Sequence, residues 1–128
     1  MSAWSAEDID RIAAGDDLYI APFRPDGTTT GTPTWIWSVV VDGRLFVRAW
    51  NGARSRWYQA AMAQHAGQIT AAATTYDVEF QPADTTMGGR IDTAYRTKYA
   101  GSSYLLPMVS AGPQAATVEI TPRTGSAS

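Results

Sequence analysis

The sequence feature that most constrains the fold is an Asp-Gly dipeptide, Asp42-Gly43, set between the two apolar halves of residues 34–50. This dipeptide readily takes the positive φ angles of a two-residue turn between antiparallel strands. We therefore predict a β-hairpin whose turn is closed by Val41 and Arg44. Fixing that pair fixes the register, because a slip by one residue would send every side chain to the opposite face.

This register divides the hairpin into two faces of different character. One face is small and aliphatic and suits the interior of a compact barrel; it carries Ile36, Ser38, Val40, Leu45, Val47 and Ala49. The other face is aromatic, and it places Trp35 opposite Trp50, Trp37 opposite Arg48 and Val39 opposite Phe46. An arginine among tryptophans suits a cleft or a subunit interface, and we expect the second face to form one of these.

Apolar periodicity predicts the other elements. Helices are expected at about residues 6–14, 56–64 and 89–99, and strands at 18–22, 68–73, 76–81 and 116–122, with residues 104–110 ambiguous. The strands are mostly adjacent and antiparallel, so the fold class is α+β, with about six strands and two or three helices. Residues 1–123 are expected to form one domain, and residues 124–128 a disordered tail.

Two of the predicted helices carry specific expectations. In the first, Ser5 and Asp8 form a capping-box pattern, and Ile9, Ile12 and Ala13 form the buried stripe. In the last, Asp92 is four residues before Arg96 and is expected to pair with it.

Composition excludes several classes of function. The chain has no cysteine and one histidine, which removes thiolate catalysis, cysteine-ligated metals and any multi-histidine metal site. Its 128 residues, 45% of them hydrophobic, suffice for one core. A net charge of −2 argues against a nucleic-acid interface. No apolar run reaches membrane-spanning length, and the acidic N-terminal region is unlike a signal peptide. We expect no metal, no nucleic-acid or membrane partner, and a cytoplasmic location.

The segment from residue 44 to residue 76 contains four arginines and no carboxylate. Within it, the chain leaves a strand, crosses an Asn-Gly loop and enters a helix near Ser55. Free N–H groups at a helix start favour a phosphate or carboxylate, which Arg54 and Arg56 could clamp. The aromatic rings of Trp37, Trp50, Trp57 and Tyr58 could stack on a planar ligand. The alternative is that Arg48 forms a cation–π pair with Trp37 while the aromatic residues fill a core or a dimer interface.

Candidate catalytic residues are fewer. Arg48 could act as an electrostatic clamp, with Tyr58, Asp77 or Tyr95 as acid or base. Tyr95 and Tyr99 at helical spacing also suit simple packing. Asp77 and Glu79 share one strand face, which an exposed edge explains equally well, and His65 follows a helix, where an exposed histidine is common.

The order of hairpin, Arg48, glycine loop, Arg56-Trp57-Tyr58 and helix resembles the flavin-binding split-barrel superfamily. Within it, the chain looks most like a small uncharacterised bacterial family with a late helix similar to Ile91-Asp92-Thr93-Ala94-Tyr95-Arg96-Thr97-Lys98-Tyr99. The match spans roughly residues 5–122. The layout is also similar to deazaflavin-dependent nitroreductases, although residues 24–30 replace the lysine-rich run that those enzymes often carry.

This resemblance implies a small antiparallel split β-barrel, a homodimer with sites at the subunit interface, and FMN or the deazaflavin F420 as cofactor. It places Arg48, Asn51, Arg54, Ser55, Arg56 and Trp57 at the cofactor phosphate, and Thr32, Thr34 and Trp37 nearer the ring. The leading hypothesis is therefore a flavin- or deazaflavin-binding oxidoreductase of unknown substrate. The alternatives are a cofactor-free cyclase, isomerase or lyase of secondary metabolism, and a non-catalytic dimer that binds a small molecule.

Overall fold

A computed structural model describes residues 4–15, 18–50, 52–103 and 105–123. The predicted tail at 124–128 and Asn51 lie outside these ranges. The strands are β1 (Leu18–Pro22), β2 (Thr34–Ile36), β3 (Ser38–Val41), β4 (Arg44–Arg48), β5 (Ala66–Ala71), β6 (Thr74–Pro82) and β7 (Thr117–Pro122). The helices are α1 (Ala6–Ala14), α2 (Arg56–Gln64), α3 (Gly88–Lys98), α4 (Leu105–Met108) and α5 (Ala111–Ala115), with 3-10 turns at Gly52–Arg54 and Thr85–Met87.

The seven strands form one antiparallel sheet in the order β2-β1-β5-β6-β7-β4-β3. Its two outer strands, β2 and β3, are consecutive in the chain and are separated only by Trp37. Residues 34–41 therefore pair with β1 through their first part and with β4 through their second, which nearly closes the sheet into a barrel. The predicted α+β antiparallel barrel is confirmed. The strand count is seven because this one segment is broken in two.

The predicted hairpin register is confirmed within β3 and β4, where Val41 pairs with Arg44 and Val39 with Phe46. It is wrong beyond Ser38. Trp35 pairs with Tyr19 of β1 rather than with Trp50, and Trp37 belongs to neither strand, so it does not pair with Arg48. The cause is closure of the barrel, which takes residues 34–36 away from β4.

Two apolar clusters cover the two faces of β4, as the alternation of its side chains requires. The first fills the barrel and is closed by α1 and α2; from the hairpin it includes Ile36, Leu45 and Val47. The second lies between the barrel and α3, and from the hairpin it includes Val39 and Phe46. The aliphatic face is thus interior, as predicted. The middle of the aromatic face is covered by α3 and is not an open cleft.

The first predicted helix is confirmed as α1, with the Ser5 Oγ accepting the Asp8 N–H at 3.1 Å. Ile9 and Ile12 are buried, but Ala13 is exposed, so the predicted stripe is too wide. The helix predicted at 56–64 is confirmed as α2. Residues 105–115, which the sequence left ambiguous or unassigned, form the two short helices α4 and α5.

The strand predicted at 68–73 is wrong at its end, because Ala72 and Ala73 form a turn with φ angles of 51° and 62°. The strand itself begins two residues earlier, at Ala66. The adjacent Gly67 passes so close to β1 that a Cβ there would lie 2.6 Å from the Ala21 carbonyl oxygen. The pairing of β5 with β1 therefore requires glycine at this position.

Candidate functional site

A cavity of about 670 Å³ opens at the break between β2 and β3. Its lining residues come from that break, the end of β4, the start of α2 and the segment before and within α4: Thr34, Trp35, Ile36, Trp37, Arg48, Trp50, Ser55, Arg56, Trp57, Ser102 and Met108. Six of the nine residues predicted to bind a cofactor are among them, namely Thr34, Trp37, Arg48, Ser55, Arg56 and Trp57.

The start of α2 borders the cavity through Ser55, Arg56 and Trp57. The first helical hydrogen bond runs from the Gln59 N–H to the Ser55 carbonyl at 3.0 Å, so the N–H groups of Arg56, Trp57 and Tyr58 precede it. Ser55 is 8% exposed, and its hydroxyl makes no capping hydrogen bond. A hydroxyl beside the positive end of a helix that does not cap the helix is suited to hydrogen-bond an anion.

Of the three arginines predicted at this site, Arg56 meets the expectation best. Its side chain lines the cavity, its residue is exposed, and it makes no ion pair with any residue that the structure describes. Arg54, in the preceding 3-10 turn, is exposed but does not line the cavity. Thr32 is also exposed and outside the lining.

Arg48 occupies a different environment from the predicted one. It is 1% exposed, and four of its five N–H groups have protein partners. These are the Thr117 Oγ1 at 3.0 Å, the Asp92 Oδ1 at 2.5 Å, the Met108 carbonyl at 3.2 Å and the Gly88 carbonyl at 3.4 Å. The Asp92 carboxylate balances its charge. Arg48 therefore joins β4 to α3. We predicted that it would face a ligand phosphate, whereas its charge is paired with Asp92.

The cation–π partner of Arg48 is Tyr95, with its guanidinium carbon 5.3 Å from the ring centroid, rather than the predicted Trp37. Tyr95 is fully buried and does not line the cavity. Burial raises the pKa of its phenol well above the ordinary value for tyrosine, which keeps it protonated. This environment does not suit the predicted role of acid or base. The predicted Asp92–Arg96 pair is likewise replaced by the Asp92–Arg48 pair.

The remaining catalytic candidates lie away from this cavity. Tyr58 lines a second cavity of about 540 Å³, together with Asp92 and Gln114. Asp77 is exposed on β6, accepts a hydrogen bond from the Gln68 Nε2 at 3.1 Å and lines neither cavity. His65 is exposed at the end of α2, with its Nδ1 3.3 Å from the Phe80 carbonyl oxygen.

Sequence reasoning missed Ser102 and Met108. Met108 belongs to the segment 104–110 that periodicity could not assign, and Ser102 lies just before it. Nothing in the local sequence places either residue beside β4. Among the described residues that line the first cavity, the charged groups are Arg48 and Arg56, and the lining contains no carboxylate and no histidine. Elsewhere in the described ranges, no three residues of metal-ligating type come together. None of the helices described has the length and apolar character needed to cross a bilayer.

The sequence profile of a family described as "Uncharacterized protein conserved in bacteria (DUF2255)" matches residues 8–120. The chain belongs to this family. This confirms the prediction that the chain belongs to a small uncharacterised bacterial family. No sequence among the curated proteins matches it.

Among solved structures, the DUF2255 chain is similar to that of the conserved hypothetical protein Rv2991 from Mycobacterium tuberculosis. The TM-score is 0.63 at 18% sequence identity, over 93% of this chain and 79% of the other. At this identity the likeness shows a shared fold alone. The resemblance to deazaflavin-dependent nitroreductases stays a prediction.

Proposed function

We propose that the cavity at the start of α2 binds a planar small molecule with one anionic group, of the flavin or deazaflavin type, and that the protein is an oxidoreductase. One observation carries this proposal. Ser55, which is 8% exposed and makes no side-chain capping hydrogen bond, the start of α2, and Arg56, which makes no ion pair with any described residue, all border one cavity. Together they supply the donors and the positive charge that a phosphate requires.

The rest of the lining suits the flat part of such a molecule. Four indoles, from Trp35, Trp37, Trp50 and Trp57, border the cavity. Indole faces stack favourably on planar rings. The volume of about 670 Å³ lies within the range of small-molecule sites in proteins.

The absence of a carboxylate or histidine from the described lining residues bears on the kind of reaction. A cofactor-free cyclase, isomerase or lyase needs an acid or a base beside its substrate. Tyr58 and Asp77, the accessible candidates, are outside this lining. A flavin or deazaflavin supplies hydride chemistry itself when bound, and the protein then needs only to bind and orient it. The cavity therefore favours the oxidoreductase over the cofactor-free enzyme.

The charge around the cavity favours FMN over the deazaflavin F420 with its long polyanionic tail. Because Arg48 is neutralised by Asp92, Arg56 is the cation left to the cavity among its described lining residues. One guanidinium and one helix start match a single phosphate. Tyr19, Trp35 and Trp50 are large apolar residues that are exposed, and two of them, Trp35 and Trp50, border the cavity. This exposure supports the proposed homodimer.

Fluorescence titration with FMN tests the proposal. We expect Arg56→Ala to weaken binding about tenfold to a hundredfold, as for loss of a charged hydrogen bond, and Ser55→Ala to weaken it about fivefold. Arg54→Ala is the matched control, since it removes the same charge from a residue outside the lining and is expected to change the affinity less than about twofold. Riboflavin, which lacks the phosphate, should bind the wild type and Arg56→Ala equally.

Two results would reject the proposal. One is that neither FMN nor F420 binds the wild type. The other is that Arg54→Ala weakens FMN binding as much as Arg56→Ala, which would indicate a diffuse charge effect. Tight binding without turnover of any electron acceptor would instead support the non-catalytic binding dimer.

A further inference from the structure

We infer that Tyr99, which directly follows α3, is a positioning residue that holds the indole of Trp37 in place. A bound planar ring then stacks on the indole face opposite Tyr99. This inference rests on the proposed binding of a planar molecule. It adds the order of the stack, Tyr99, then Trp37, then ligand.

The geometry of the two rings carries the argument. Trp37 and Tyr99 are stacked with centroids 3.9 Å apart and planes inclined by only 2°. Trp37 lines the cavity and Tyr99 does not. One indole face is therefore covered by the phenol ring, and the opposite face is the one left for a ligand.

Trp37 needs such support because of its place in the fold. It lies at the break between β2 and β3, outside both strands, so the ladder hydrogen bonds of neither strand fix it. An indole that is already fixed loses less conformational entropy when a ring stacks on it, and binding is tighter as a result.

Tyr99 is itself firmly anchored. Its hydroxyl accepts the N–H of Ser38 and donates to the Ser38 carbonyl, each at 3.1 Å. The Lys98 Nζ donates to the same carbonyl at 2.9 Å and lies 5.4 Å from the Tyr99 ring centroid. Ser38 directly follows Trp37 and is 2% exposed. The phenol ring is thus tied to the chain next to the indole that it supports.

The same stretch of chain also fixes the other side of the cavity wall. Asp92 binds Arg48, and Tyr95 lies with its ring centroid 6.4 Å from Trp37 and 5.9 Å from Tyr99. The late helix pattern from Ile91 to Tyr99 therefore has a physical explanation. Its polar and aromatic members hold the wall residues Arg48 and Trp37 from behind.

Two variants and one spectroscopic probe test this inference with FMN. Tyr99→Leu removes the ring, and we expect it to weaken FMN binding about threefold to tenfold and to reduce the quenching of bound flavin fluorescence. Tyr99→Phe keeps the ring and should restore most of both. The matched control is Tyr76→Leu, which removes the tyrosine from an edge-to-face pair with Trp4, 5.3 Å between centroids, away from the cavity lining. Thermal unfolding of each variant establishes that it is folded.

The probe is 5-fluorotryptophan, with the Trp37 signal assigned in the ¹⁹F spectrum by its loss in Trp37→Phe. On addition of FMN to the labelled wild type, we expect the Trp37 signal to shift through the ring current of the stacked flavin. This measurement does not depend on whether Tyr99→Leu folds.

The outcomes separate the inference from the proposed function. If FMN does not bind the wild type, the proposed function fails and the inference with it. If FMN binds but the Trp37 signal stays in place, or folded Tyr99→Leu binds and quenches as the wild type does, the inference alone is overturned.

Discussion

At the scale of single residues, the Arg48–Asp92 ion pair links the barrel to α3. The Arg48 side chain is wholly buried and that of Asp92 is 14% exposed. The second carboxylate oxygen of Asp92 accepts a hydrogen bond from the Gln114 Nε2 at 3.0 Å. Removing one partner of such a pair leaves the other charge buried and uncompensated, which is strongly destabilising.

We expect Asp92→Asn to lower the free energy of unfolding by about 3–5 kcal/mol, because the buried guanidinium loses its counter-charge while the side-chain shape is kept. Urea denaturation measures this. Asp42→Asn is the control, since the Asp42–Arg90 pair is more than half exposed on both sides and should contribute under about 1 kcal/mol. Equal losses in the two variants would contradict a structural role for the buried pair.

The sequence placed Arg48 on the correct face of β4 but gave it the wrong partner. Asp92 lies 44 residues further along the chain. Within the helix, Arg96 is four residues after Asp92, and this spacing favours a local ion pair. Only the packing of α3 on the barrel brings the distant carboxylate to Arg48. By contrast, the start of α2 at Ser55 and Arg56 was located correctly, because a helix start is a local feature.

At the scale of elements, two tight turns of similar geometry have very different sequences. Asp42-Gly43 has φ angles of 53° and 73°, and Ala72-Ala73 has 51° and 62°. Asp-Gly is well suited to these angles, whereas alanine in the left-handed region is strained by roughly 1–2 kcal/mol for each residue. The first turn is therefore visible in the sequence and the second is not, which is why β5 was predicted to run too far.

Replacing Ala72-Ala73 by Asn-Gly should raise the free energy of unfolding by about 1–2 kcal/mol, because these residues adopt positive φ with little strain. Thermal and urea unfolding both measure the change. As a reciprocal control, Asp42→Ala combined with Gly43→Ala should destabilise the protein. An unchanged or lower stability of the Asn-Gly variant would show that strain in this turn is negligible.

Element bounds were well predicted where local signals are strong, as for α1, α2 and β1. The break at Trp37 could not be predicted, because residues 34–41 read as one uninterrupted strand. The strand is interrupted because its first part pairs with β1 and its second part with β4, and this double pairing arises only when the barrel closes.

At the scale of the whole molecule, stability at high pH depends on the burial of Tyr95. Its pKa in the folded protein is raised by burial, whereas in the unfolded chain it ionises near pH 10. The unfolded state therefore loses a proton first, and the stability that the neutral phenol contributes is full below about pH 10 and is lost as the pH rises further.

We expect the free energy of unfolding to fall above about pH 10, and to fall less steeply in Tyr95→Phe. The substitution itself should be mild, since the Tyr95 hydroxyl makes a long hydrogen bond of 3.5 Å to the Trp37 carbonyl. Urea unfolding at several pH values between 8 and 11 tests this, with Tyr19→Phe as the control because that ring is 41% exposed. Identical slopes for wild type and Tyr95→Phe would contradict the assignment.

The barrel architecture was predictable because the hairpin, its two faces and the mostly local strand order all point to it. The cavity was predictable in part, through the arginines and tryptophans that border it. Its depth and its rear wall were not, since they depend on how α3 and α4 pack across β4.

The break at Trp37 has a consequence for how this cavity can change in the course of evolution. The same eight residues, 34–41, close the barrel and place the Trp37 indole in the cavity lining. A mutation there that changes the cavity therefore also disturbs the closure of the barrel. At the start of α2, by contrast, Ser55 and Arg56 are not among the residues that form the two apolar clusters. If the cavity binds a ligand as proposed, changes of ligand preference are therefore expected at Ser55 and Arg56, while the segment around Trp37 tolerates little substitution.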